Sequence, residues 1–177
     1  GAYSEAAPAL IRVLAFSVLA LTHAELGQHD RSRKAAEEAM GIVETRSMHA
    51  LPQIALAFTA FGQSQAASGK LEEAMATLDH GLALRRKVPG LTPWPTMHHL
   101  LVMGRVAVMS GDPALGRQLL DEAAAMIRRY PQGMTAMIAR LDTARKSLRE
   151  SRNGELRSDR LTAREIDILR KLATPQS

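Results

Sequence analysis

The chain has 177 residues, 46% of them hydrophobic, which is enough for one globular domain with a sizeable core and too apolar for a disordered segment. Aromatic residues make up only 3%, so a core would be built from Ala, Leu and Met, a mix that favours packed helices over a sheet. There is no cysteine, which excludes disulfides, thiolate metal sites and cysteine nucleophiles. The net charge of +5 is concentrated late: Arg140 to Lys171 holds ten Lys/Arg against six Asp/Glu.

In chain order, the pattern predicts seven helices, over about 5–26, 30–48, 51–68, 71–88, 94–110, 113–129 and 132–150. The opening residues lack the basic n-region of a signal peptide. The apolar run from Ala9 to Leu26 carries Arg12, His23 and Glu25, which are costly in lipid. It is therefore expected to be a helix buried on most sides, not a membrane span, in a cytoplasmic protein. Pro52 is expected in a first helical turn, and Asp112-Pro113 reads as a cap followed by proline at the first helical position. The connection from Pro89 to Pro95 contains three prolines and the single tryptophan, Trp94, and is expected to be a stiff contact loop. The seventh helix has an apolar stripe of Met134, Met137, Ile138, Leu141, Ala144 and Leu148. It is read as a capping helix that does not follow the repeat described next. Residues 151–160, with Asn153-Gly154, read as a linker.

Three segments align without gaps at a period of 42 residues, marked by Gly27, Gly69 and Gly111. Small residues recur in each copy: Ala20, Gly62 and Gly104 before the turn, then Ser32, Ala74 and Gly116 after it. Small residues at fixed positions let paired helices approach closely, and glycine at the turn accepts a left-handed backbone. Residues 10–130 thus resemble the tetratricopeptide repeat, although the period exceeds that family's usual length of about 34. The resemblance implies an all-α, right-handed superhelix of antiparallel helix pairs over residues 1–150, with the first helix of each pair lining a concave face. The candidate ligand or partner contacts on that face are Thr59, Gln63, His98, Arg105 and Met109, joined by Trp94.

Residues Leu161-Thr162-Ala163-Arg164-Glu165 open a capped amphipathic helix that continues through Leu169, Leu172 and Ala173. This resembles the first helix of the LuxR-type helix-turn-helix domain, making 161–177 the truncated start of such a domain. The helices that would read DNA do not follow within the sequence, so no residue here is a candidate for base contact. Helical repeats joined to a LuxR-type domain resemble the MalT-like bacterial transcription regulators. The absence of an initiator Met and the abrupt ends point to a piece of a longer polypeptide.

The function implied is an effector-binding or protein-binding sensor region that controls an attached DNA-binding domain. Its expected partner is a small-molecule inducer or a regulatory protein, with DNA contacted only through the missing domain. Self-association is also open, and the alternative is a general protein-interaction scaffold. An enzyme is not expected. Gly62-Gln63-Ser64-Gln65-Ala66 departs from a nucleophile elbow and lies within a predicted helix. No histidine has another four residues away, so neither a metal nor another cofactor is expected.

Overall fold

The computed structural model describes residues 2–88, 93–130 and 132–158. Among the described residues there are seven α-helices, one 3-10 turn and no strand, so the protein is all-α. The helices are α1 (Ala2–Glu25), α2 (His29–Thr45), α3 (Ala55–Ala67), α4 (Leu71–Arg86), α5 (Pro93–Met109), α6 (Pro113–Arg129) and α7 (Thr135–Ser158). The turn Pro52–Ile54 leads into α3. Trp94 lies in the first turn of α5 and not in a loop, because Pro93 and Pro95 fit the opening turn of a helix, where the amide proton is unused. The segment expected to be a linker is helical as far as Ser158. Helix α7 runs through Asn153-Gly154 to Ser158, carried by the helix formers Glu155, Leu156 and Arg157. The segment 161–177 lies outside the described residues.

The hairpin turns follow from local chemistry. Gly27, Gly69 and Gly111 have φ of +69°, +79° and +83°. At each, two backbone amides fold back onto the last turn of the helix. At the first, Gly27 N–H donates to the Ala24 carbonyl (3.1 Å) and Gln28 N–H to the His23 carbonyl (2.8 Å). The end of α2 uses the same pair of bonds, from Ser47 to Glu44 (3.1 Å) and from Met48 to Val43 (2.9 Å). There the left-handed residue is Ser47, at φ +51°, where a Cβ is unfavourable. Helix α6 opens with Asp112, whose Oδ1 accepts the Leu115 amide at 2.9 Å.

Within the α3–α4 and α5–α6 hairpins the two helices approach to backbone distance. A Cβ added at Gly62 would lie 2.6 Å from Leu78 Cγ and 3.2 Å from the Ala74 carbonyl oxygen. One residue period later, a Cβ at Gly104 would lie 2.9 Å from Leu120 Cδ2 and 3.3 Å from the Gly116 carbonyl oxygen. Gly62 faces Leu78 while Phe58 faces Gly81, so the paired helices run antiparallel.

Between hairpins, α3 packs on α1 and α2, α5 on α3 and α4, and α7 on α5 and α6. The positions that make these layers repeat every 42 residues. Ala57, His99 and Leu141 are buried, as are Ala60, Val102 and Ala144, and Ser64, Val106 and Leu148. Helix α7 therefore follows the repeat, contrary to the sequence expectation, and covers the α5–α6 pair as each odd helix covers the pair before it. The signal was hidden because His99 and Leu141 share a position but not a chemistry.

The corresponding positions of α1, Ala15, Val18 and Thr22, are exposed. Helix α1 is thus buried on one side only, through Val13, Ser17, Ala20 and Leu21, which corrects the expectation of burial on most sides. It packs against α2, α3 and the turn Pro52–Ile54 and leaves Ile11, Val18 and Leu19 on the surface. By length and composition the segment Ala7–Glu25 is apolar enough to cross a membrane.

Two substitutions test these constraints by urea unfolding. Gly62→Ala forces Leu78, a fully buried side chain, out of place and is expected to destabilise by about 1–3 kcal/mol. Ser47→Gly relieves the left-handed serine and is expected to stabilise by about 1 kcal/mol. A neutral Gly62→Ala would contradict the close approach.

Candidate functional site

The odd helices carry equivalent positions side by side. The row Leu21, Gln63 and Arg105 occupies α1, α3 and α5, and the row Glu25, Ala67 and Met109 lies one turn further on. All of these but Leu21 line a cleft of about 350 Å³ between α1, α2, α3 and α5. Its apolar floor is Val102 and Val106, both buried. Its polar lining includes Glu25, Ser64, Gln63 and Arg105. A larger hollow of about 620 Å³ lies between α1 and α2 among Arg12, Lys34, Glu37 and Glu38. It is open to solvent and holds none of the buried polar atoms that lack a partner, so the smaller cleft is the better candidate.

Two features of the cleft are chemically unfinished. Gln63 Oε1 is shielded from water and accepts no hydrogen bond among the described residues. Arg105 is exposed and makes no ion pair there. Glu25, by contrast, is held by Arg140 Nη2 at 2.9 Å. That ion pair ties the end of α1 to α7 at the margin of the cleft. Arg140 Nη1 also donates to His98 Nδ1 at 3.2 Å, between positions 42 residues apart.

Below this surface lies a directional network. His99 is fully buried, and its Nε2–H donates to the Leu78 carbonyl at 2.8 Å. A carbonyl only accepts, so in the neutral ring Nδ1 is the acceptor, and Thr59 Oγ1–H donates to it at 2.7 Å. Arg85 Nη2 in turn donates to Thr59 Oγ1 at 3.3 Å. Gly81 makes room for this ring, since a Cβ there would stand 2.8 Å from His99 Cε1. Burial, reinforced by the Arg85 charge, pushes the His99 pKa down to about 3. Burial and then Arg140, Arg85 and Arg105 push His98 down to about 4. Arg85, itself desolvated, falls to about 10.

Three of the six sequence-derived contacts, Gln63, Arg105 and Met109, meet in the cleft. The other three do not. Thr59 was expected on the groove surface but is fully buried against His99, because α5 packs over that part of α3. His98 is buried beneath Trp94, their rings 5.9 Å apart at 28°. Trp94 is 40% exposed and stands outside the cleft, at the start of α5. Sequence reasoning missed His99 and the Glu25–Arg140 pair. Extending the period of 42 from His98 to Arg140 would have found the contact between those two side chains.

No protein-family model matches the chain, and no curated protein matches it either. The lining can hold a small molecule by hydrogen bonds, one cationic contact and apolar packing.

The two buried histidines set an acid sensitivity. Both have folded pKa values below the usual 6.5, so the unfolded chain takes up their protons first. Their contribution is complete above pH 6.5 and is lost as pH falls toward 4 for His98 and 3 for His99. The expected slope is roughly 1 kcal/mol per pH unit for each histidine in that window. Urea unfolding at pH 7.5 and pH 5 reads it out, and His99→Gln should reduce the loss. Equal stability at the two pH values would contradict neutral burial.

Proposed function

We propose that the helical hairpins are tetratricopeptide-like repeats forming a right-handed superhelix, and that they are the sensor region of a LuxR-type transcription regulator. In this reading an effector or regulatory protein binds the cleft and alters how an attached DNA-binding domain is presented. The region performs no reaction, needs no cofactor and works in the cytoplasm. The observation that carries the binding role is the cleft itself, where Arg105, without an ion pair among the described residues, stands beside the buried Val102 and Val106. The link to transcription rests on the resemblance of Leu161-Thr162-Ala163-Arg164-Glu165 to the opening of a LuxR-type domain.

The cleft suits a switch because it draws on three hairpins. A ligand that touches α1 and α5 together favours the arrangement in which they are close, and only such a difference in affinity shifts an equilibrium. The Glu25–Arg140 pair, joining α1 to α7, is the contact most directly coupled to that movement.

Two observations on the parent protein decide the matter. Its gene is expected to continue beyond Ser177 into two further helices of a helix-turn-helix. In a DNA-binding assay on that protein, Arg105→Glu should change the response to effector without abolishing basal binding. A downstream sequence with no helix-turn-helix would overturn the transcriptional role.

A further inference from the structure

The outer face of α1 is built as an interaction surface, and we propose that its occupant is one further helical hairpin of the same repeat, carried ahead of Gly1 in the parent polypeptide. The proposal stands on the packing of the layers and uses neither the cleft nor the transcriptional reading. Each later odd helix covers the hairpin before it with one face, buried at three positions of the repeat, as Ala57, Ala60 and Ser64 show in α3. The same positions of α1, Ala15, Val18 and Thr22, are exposed. Ile11 and Leu19 widen them into one stripe at helical spacing. Ile11, Val18 and Leu19 are 67%, 49% and 47% exposed, and no charged residue falls within the stripe. Helix α2 shows what a solvated face of this protein looks like: Asp30, Arg33, Lys34, Glu37 and Glu38 are all exposed. A continuous apolar stripe left in water is instead the mark of a partner surface.

The established layer contacts say what the partner presents. Helix α3 meets α1 and α2 through Ala57, in one cluster with Val13, Ala39 and Val43, and through Ala60, in another with Ala20 and Ala36. The partner of α1 therefore offers small apolar residues from both helices of a pair. Among the described residues each such pair is already covered, α1–α2 by α3, α3–α4 by α5 and α5–α6 by α7. A second copy has no free pair of this kind to offer, whereas an upstream hairpin does. A membrane is the poorer match. The opposite side of α1 is packed against protein through Val13, Ser17 and Ala20, and the stripe lacks the row of Lys and Arg that holds an interfacial helix on anionic lipid. The register also fixes what the hairpin contains: a glycine or asparagine at the turn 42 positions before Gly27, and small residues 42 positions before Ala20 and Ser32.

Because the sequence contains no cysteine, one introduced at Val18 is a specific probe. The test compares the rate at which a maleimide labels Val18→Cys in the 177-residue chain and in the full parent polypeptide. Labelling is expected to be about 10-fold slower or more in the parent, where the thiol is reached only when the layer opens. Lys146→Cys, on the exposed side of α7, should label equally fast in both. Hydrogen exchange of the unaltered proteins gives a second readout, and peptides covering Ile11 to Thr22 should exchange more slowly in the parent.

Equal labelling and equal exchange in the two proteins overturn the proposal, as does a parent with no helical pair ahead of Gly1. Protection of Val18→Cys in the 177-residue chain itself also overturns it. Protection that grows with protein concentration assigns the face to a second copy, and protection unchanged by dilution assigns it to the segment 161–177. Protection found only with phosphatidylglycerol vesicles assigns it to a membrane. None of these outcomes touches the transcriptional reading, which falls separately on a gene without a downstream helix-turn-helix.

Discussion

The close approach of the two helices in the α3–α4 and α5–α6 hairpins is the constraint on which the rest depends. At Gly62 and Gly104 there is no room for a Cβ, because Leu78 and Leu120 fill the space. Such packing sets the distance between helices and the rotation of each, so all hairpins present the same faces to their neighbours. Odd helices then stack on odd helices in a fixed register of 42 residues. The cleft is a product of that register. Its key side chains come from one position of the repeat, occupied by glutamine in α3 and arginine in α5.

Local features were legible in the sequence because they depend on local chemistry. The turn glycines, the Asp112-Pro113 start and the small residues of the hairpin interfaces each have a steric or hydrogen-bonding reason that needs no knowledge of the fold. The site was legible only in part. Thr59 and His98 occupy the same side of their helices as Gln63 and Arg105, yet the first pair is buried and the second reaches the cleft. The difference is that the odd helices pack tightly near their starts and leave space near their ends. How far two stacked helices stay together depends on side-chain volumes summed across three hairpins, and a periodic pattern along one helix does not contain that. Helix α7 was misplaced for a related reason. Its place in the repeat is defined by burial, and burial tolerates His99 in one copy and Leu141 in the next.

The polar groups inside the stack divide into two kinds. Thr59, Arg85 and His99 form a chain of hydrogen bonds that ends on the Leu78 carbonyl and fixes α5 against the α3–α4 hairpin. Such a network specifies one alignment of the layers, since any slip would leave a buried donor or acceptor unmet. Gln63 and Arg105 are the opposite case: both line the cleft, and among the described residues Gln63 Oε1 accepts no hydrogen bond and Arg105 makes no ion pair. The first group is buried between packed helices and belongs to the framework, and the second lines the cleft.

The central claim is that the helices stack in a register of 42 residues. Nuclear Overhauser contacts in the isotopically labelled protein measure this directly. The account predicts contacts between the His98 ring and the Arg140 side chain, and between the Gly81 Hα protons and the His99 ring. Their absence in the folded protein, with Arg140 instead close to residues far from α5, would contradict it.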